Sequence, residues 1–117
     1  MRVLVCGGRD YFKPAQVWRA LDKLHAERPI TALMQGGAVG ADTLAKEWAA
    51  TKPAIERFVC HAEWEKHGRK AGPIRNARML EWKPDLVVAF PGGTGTANMM
   101  QQARAAGVDV FEPYPQS

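Results

Sequence analysis

No apolar run in this sequence approaches the roughly 18 residues that a helix needs to cross a bilayer, so a membrane-spanning chain is not expected. Cysteine is scarce. Only Cys6 and Cys60 occur, far apart and each at the end of an apolar run. Two isolated thiols form no disulfide framework, and they read as small buried hydrophobes. The opening residues Met1-Arg2-Val3-Leu4-Val5-Cys6 enter a strand pattern directly, without the long apolar stretch and cleavage site of a secretory signal, so the expected compartment is the cytoplasm. Neither sign of charge dominates. Sixteen Lys and Arg against twelve Asp and Glu leave a net charge of +4, spread along the chain. Such a charge steers anions mildly, and it lacks the concentrated basic stripe of a nucleic-acid binder.

Several catalytic signatures are absent as well. No Gly-x-Ser-x-Gly elbow supplies a serine nucleophile. His61 and Glu63 have the His-x-Glu spacing of zinc deaminases, but the Pro-Cys-x-x-Cys partner is missing, so no metal site is expected. No cofactor is expected either.

The remaining pattern is an alternation of strands and helices. Strand-like runs occupy Arg2–Cys6, Ile30–Met34, Ile55–Cys60, Asp85–Phe90 and Val108–Phe111. Helical periodicity occupies Pro14–Glu27, Gly40–Thr51, Pro73–Trp82 and Thr96–Ala106, with Gly107 in the C′ place that ends the last helix. Val17, Trp18, Leu21 and Leu24 share one helix face, and Leu44, Ala45 and Trp48 share another, so Trp18 and Trp48 read as core. The stretch from His61 to Gly72 is polar and reads as irregular, as does the proline-rich tail Glu112–Ser117. With 46% hydrophobic and 24% charged residues over 117 positions, one domain spanning residues 1–117 is expected. The predicted fold class is α/β, a Rossmann-like three-layer sandwich on a mostly parallel five-stranded sheet, with strand order 3-2-1-4-5. In that order the first and fourth strands are neighbours where the winding reverses, and ligands of such sheets bind there beyond the carboxyl ends of the strands.

The most informative residues follow those carboxyl ends. After the fourth strand comes Phe90-Pro91-Gly92-Gly93-Thr94-Gly95-Thr96, opening into a helix. Glycines let an anion approach the backbone, and the helix start supplies free N–H groups and a positive dipole end. A P-loop would need Lys and then Ser or Thr after its last glycine, and a dinucleotide fingerprint would need a glycine where Asn98 stands. The alternative reading of this loop is a plain strand-to-helix turn. The first strand is followed by Gly7-Gly8-Arg9-Asp10-Tyr11 and the second by Gln35-Gly36-Gly37-Ala38-Val39-Gly40-Ala41-Asp42. The third is followed by the polar loop ending in Gly68-Arg69-Lys70-Ala71-Gly72-Pro73-Ile74-Arg75-Asn76. Paired glycines in three loops on one sheet edge favour a phosphate site. Arg9 is either a phosphate clamp or a surface partner of Asp10. Asp42 is either a ligand contact or a cap of the second helix. Arg75 and Arg78, three apart, share a helix face as clamps or solvated charges. Trp64 offers a ring on which a base could stack.

The four motifs Gly7–Tyr11, Gly36–Asp42, Ala71–Met79 and Phe90–Thr96, in this order, resemble the SLOG superfamily, and most closely its small YspA/YpsA-related branch. That superfamily includes the cytokinin-activating "lonely guy" phosphoribohydrolases and the Rossmann domain of DNA-processing protein A. The resemblance spans nearly the whole chain and implies a Rossmann-like fold, a nucleotide-related ligand and a possible homodimer, with helix faces at Trp18 or Trp82 available to it. It also implies a role for Arg75, the match to the arginine of the phosphoribohydrolases. Their glutamate, however, falls at Met99, which can neither activate water nor stabilise developing positive charge. Asp10, Asp42 and Glu47 are the carboxylates that remain as substitutes.

The leading expectation is therefore a protein that binds a phosphorylated small molecule, a nucleotide or nucleotide derivative such as AMP, ADP-ribose or an NAD-like compound, with sensing as one role for such binding. The expected ligand-binding residues are Gly7, Gly8, Arg9, Asp10, Gly36, Gly37, Gly40, Asp42, Arg75, Asn76, Pro91, Gly92, Gly93, Thr94, Gly95 and Thr96. The alternatives are an N-glycosidase of nucleoside 5′-monophosphates, with Arg75 as the candidate catalytic group, and a single-stranded DNA-binding module.

Overall fold

The computed structural model describes residues 1–116 of the chain; Ser117, the end of the tail read as irregular, lies outside the described residues. The elements run β1 (Arg2–Cys6), α1 (Pro14–Glu27), β2 (Ala32–Gln35), α2 (Ala41–Ala50), β3 (Glu56–Val59), α3 (Trp64–His67), a 3-10 turn (Gly68–Lys70), α4 (Ala71–Glu81), β4 (Leu86–Ala89), α5 (Thr94–Ala105) and β5 (Asp109–Phe111). All four strand pairings are parallel, and the order is β3-β2-β1-β4-β5, as the pattern of alternation predicts. The fold is an α/β, Rossmann-like sandwich. No described helix is long and apolar enough to cross a membrane.

The central strand explains the layering. Successive side chains of a strand point to opposite faces. Val3 and Val5 join the cluster formed by Val17 and Leu21 of α1 with Ala45 and Trp48 of α2. Leu4, between them, joins Met79 of α4 and Met99 and Ala103 of α5 on the other face. A strand covered on both sides must be apolar throughout, which is why Val3–Cys6 and Leu86–Ala89 read as continuous hydrophobic runs. Trp48 is fully buried and satisfies its indole by donating Nε1–H to Asp22 Oδ1 at 2.8 Å.

The helix ends follow local chemistry. Pro14 opens α1, where its missing N–H costs nothing. Gly107, at φ 75°, closes α5 with a paired motif: Gly107 N–H donates to Arg104 O at 3.1 Å and Val108 N–H to Ala103 O at 2.9 Å.

Three sequence readings need correction. The stretch His61–Gly72 is not irregular, because it holds α3 and the 3-10 turn. One turn of helix is too short to show a period, and this one carries a Glu63–His67 pair at 3.4 Å between its N-cap and its last residue. Helix α4 begins at Ala71 rather than Pro73, which occupies the third helical position, where the backbone N–H would again be unpaired. Helix α5 begins at Thr94 rather than Thr96. All four residues of β3 are exposed, in keeping with the edge place that the predicted order gives this strand.

Candidate functional site

The strand order brings the β1 and β4 loops side by side. Cys6 pairs with Ala89, and the next step of the ladder continues as Gly8 N–H donating to Pro91 O at 2.9 Å. The close approach requires glycine at position 92, where a Cβ would lie 2.7 Å from Gly8 N and overlap the Thr96 hydroxyl. The β2 loop meets the same place. Ala41 N–H donates to Gly8 O at 3.1 Å, and Gly40, at φ 81°, turns the chain into α2.

A cleft of about 1030 Å³ opens over these loops, at the carboxyl ends of β1 and β4. Its floor is Gly7, Gly8 and the loop Pro91–Thr96. Arg9, Asp10, Asp42, Trp64, Arg69, Arg75 and Asn76 line it as well. All the sequence-predicted ligand residues line it except Gly36, Gly37 and Gly40. Those three hold the wall from behind. Gly36 O accepts a hydrogen bond from Arg75 at 2.9 Å, Gly37 leaves room for the His61 ring, and a Cβ on Gly40 would overlap the carbonyl oxygens of Gly8 and Arg9. Arg69, Asn98 and Gln116 line the cleft without having been among the predicted residues. Asn98 had a signal, since it fills the third-glycine place of the dinucleotide pattern, whereas Gln116 sits in a tail whose path no local pattern specifies. A second, smaller groove of about 160 Å³ lies at the β3 edge near Phe58 and Val59, away from the glycine loops.

The start of α5 is the most ligand-ready part of the cleft. Its N-cap, Gly93, offers no side-chain cap, and its first turn holds no acid. The first helical bond is Ala97 N–H to Gly93 O at 3.1 Å, so the N–H groups of Thr94, Gly95 and Thr96 have no helical acceptor. Nothing lies within 4 Å of where a Cβ on Gly93 or Gly95 would stand. An anion therefore has an open approach to these amides, at the positive end of a twelve-residue helix.

Arginine surrounds that point, but each side chain is placed differently. Arg75 reaches inward. It donates from its guanidinium to Gly36 O at 2.9 Å and Cys60 O at 3.4 Å, and from Nε to Asn76 Oδ1 at 3.1 Å. Asn76 in turn donates to Gly95 O at 3.2 Å and Asn98 Oδ1 at 3.1 Å, so α4 ties the β2 loop to the β4 loop. Arg78, expected on the same face, points elsewhere and pairs with Glu63 at 3.7 Å in solvent. Arg9 does not pair with Asp10 among the described residues. Its guanidinium lies over the Trp64 ring, 5.3 Å from the centroid.

The carboxylates divide sharply. Asp42 is 6% exposed, and its carboxylate accepts from Ala38 N–H at 3.2 Å rather than capping α2. Burial raises its pKa above the ordinary value of 3.8, while the Ala38 amide and the Arg75 guanidinium pull it part of the way back. Asp10 is exposed, and Glu47 is exposed on α2 away from the cleft. Met99 is 1% exposed in the apolar cluster with Leu4, Met79 and Val87, so the position of the hydrolases' glutamate belongs here to the core. Desolvation pushes the Cys6 thiol up to about 12, with Asp42 as the next cause, which keeps it protonated and unreactive. Among the described residues, no group of three His, Cys, Asp or Glu stands close enough together to hold a metal ion.

Residues 1–67, which carry the Gly7–Tyr11 and Gly36–Asp42 motifs, match the model of the YAcAr family, described as the YspA, cpYpsA-related SLOG family. The chain is also similar to the Gene 61 protein of Mycobacterium phage D29, at 38% identity over an alignment 121 positions long that covers 94% of each protein. No solved structure matches. On the strength of the motif order, the fold and these two matches, the chain belongs to the YspA, cpYpsA-related SLOG family.

Proposed function

We propose that this protein binds a nucleotide or nucleotide derivative, with a phosphate seated on the amides of Thr94, Gly95 and Thr96. The observation that carries the reading is the uncapped start of α5, with Gly93 and Gly95 facing open space in a cleft that also holds Arg9, Arg69 and Arg75. Three guanidiniums there face two carboxylates, and burial opposes ionisation of one of them, Asp42. The balance favours an anion. Membership of a SLOG family supports a nucleotide-related ligand on independent grounds.

The test is a thermal-shift series with AMP, ADP, ATP, NAD, ADP-ribose and cyclic nucleotides, on wild type and on Gly93→Asp. A ligand present at a hundred times its Kd adds about 2.7 kcal/mol to the folded state. For a domain of this size that raises Tm by roughly 10–20 °C. Because Gly93 has φ −98° and free space beyond it, the variant keeps the fold and only sets a negative charge against the phosphate. A selective shift in wild type that disappears in Gly93→Asp is the expected result. No shift with any of the compounds would sink the reading.

One observation favours a second reading, cleavage of the N-glycosidic bond of the bound nucleotide. Asp42 and Arg75 both border the cleft, and both lie against the Gly36 backbone, where an added Cβ would come 3.0 Å from Asp42 Oδ2 and 2.8 Å from the Arg75 guanidinium carbon. A carboxyl with a raised pKa beside a guanidinium suits proton transfer and charge stabilisation during such a cleavage. Release of free base from AMP by wild type but not by Asp42→Asn is the expected outcome, and release that survives the substitution would remove Asp42 from the reaction.

A further inference from the structure

We propose that Trp64 and Arg9 form a base-binding subsite at the edge of the phosphate cleft, so that the ligand is a nucleoside 5′-phosphate and not a plain sugar phosphate; the inference rests on the phosphate reading above. The four tryptophans are used differently. Trp48 is fully buried with its indole bonded to Asp22. Trp82 packs against Phe58, 5.7 Å between centroids, and carries the Arg2 guanidinium at 5.4 Å. Trp18 is partly buried against the cluster under α1 and α2. Only Trp64 leaves a large surface in solvent, 48% exposed, and it lines the cleft.

The far edge of the Trp64 ring lies beside Gly72, where even an added Cβ would stand 3.6 Å from Cη2, an ordinary packing distance. Over the ring lies the Arg9 guanidinium, which reaches across from the β1 loop and makes no ion pair among the described residues. An exposed cation over an indole strengthens an association about two- to fivefold, whereas a nucleobase stacked on an aromatic ring strengthens it about five- to hundredfold. A base therefore displaces Arg9 from the ring. The freed guanidinium has a use in the same cleft, since its planar fork matches a phosphate bidentately. In the free protein Arg9 covers the stacking face, and in the complex it moves to the phosphate.

The experiment measures Kd for AMP and for ribose 5-phosphate by titration calorimetry, on wild type, Trp64→Ala, Trp64→Phe and Gly93→Asp. Trp64 is on the surface, so its removal leaves the core intact, and a melting curve of each variant checks this. Wild type is expected to bind AMP about tenfold or more tighter than ribose 5-phosphate. Trp64→Ala is expected to erase that ratio by weakening AMP alone, Trp64→Phe to keep most of it, and Gly93→Asp to weaken both ligands together. Equal binding of the two ligands by wild type, or a Trp64→Ala variant that weakens both alike, overturns the base subsite while leaving the phosphate reading in place. If wild type binds neither compound, the subsite as proposed fails, and the thermal-shift series with the wider panel decides the phosphate reading separately.

Discussion

Asp42 shows what a single residue contributes and why its role could not be read in advance. Its place in the first turn of a helix is read equally as that of a cap and of a ligand contact. In the fold it is neither a cap nor fully open to the cleft; its carboxylate draws in the Ala38 amide and faces Arg75. Only the three-dimensional approach of α4 decides this, and no spacing within Gly36–Asp42 contains it. The pH dependence follows from its burial. Asp42 keeps its proton to a higher pH in the folded protein than in the unfolded chain, where the value is near 3.8. Between those two values the unfolded state binds fewer protons, so stability falls as pH rises through the window and is level above it. Asp42→Asn retains an acceptor for Ala38 N–H and does not titrate. The Tm of wild type minus that of Asp42→Asn, followed by melts from pH 3.8 upward, is expected to decrease as pH rises. A difference that grows instead would mean that the amide and Arg75 outweigh burial.

Elements were legible where their chemistry is periodic or local. Four helices of ten residues or more show a repeating apolar face, and Gly107 marks the end of α5 at the residue where the chain turns left-handed. α3 was not legible, because four residues carry no period and its stabilising pair, Glu63 with His67, looks like any charged stretch. The edge place of β3 was legible from the predicted strand order, and its exposure follows from that place. At helix starts the glycines are not equivalent, although the sequence presents them alike. Gly40 has φ 81° and presses against the carbonyls of Gly8 and Arg9, whereas Gly95 lies in α5 with nothing near its missing side chain. Gly40→Ala is expected to cost about 2 kcal/mol or more, from left-handed strain together with overpacking. Gly95→Ala is expected to leave stability unchanged or to raise it by up to about 1 kcal/mol, because alanine favours a helix and loses less entropy. Urea titrations of both variants measure the contrast, and similar losses in the two would remove the distinction.

At the scale of the molecule, the alternation of strands and helices was enough to predict the order β3-β2-β1-β4-β5, and with it the meeting of the β1 and β4 loops. What topology did not reveal is how those loops are fastened to each other. Arg75 and Arg78 were read as sharing a helix face, either as phosphate clamps or as solvated charges. Arg78 is the solvated charge, facing Glu63, and Arg75 holds the carboxyl edge of the sheet together. A chain of hydrogen bonds runs from Gly36 O and Cys60 O through the Arg75 guanidinium to Asn76, and from Asn76 to Gly95 O. Through it, α4 joins the loops that follow β2, β3 and β4. Hydrogen bonds from a charged donor are worth about 1.5–3 kcal/mol each, and removing the donor leaves part-buried carbonyls short of a partner. Arg75→Ala is therefore expected to destabilise the protein by about 2 kcal/mol. The loss should also appear away from α4, as faster amide hydrogen exchange in both Gly36–Gly40 and Gly93–Thr96. Arg75→Lys is expected to recover little, because an ammonium is a single point charge and cannot reach Gly36, Cys60 and Asn76 at once. Faster exchange confined to α4, or full recovery by lysine, would show that the loops are held independently and that Arg75 serves only as a charge in the cleft.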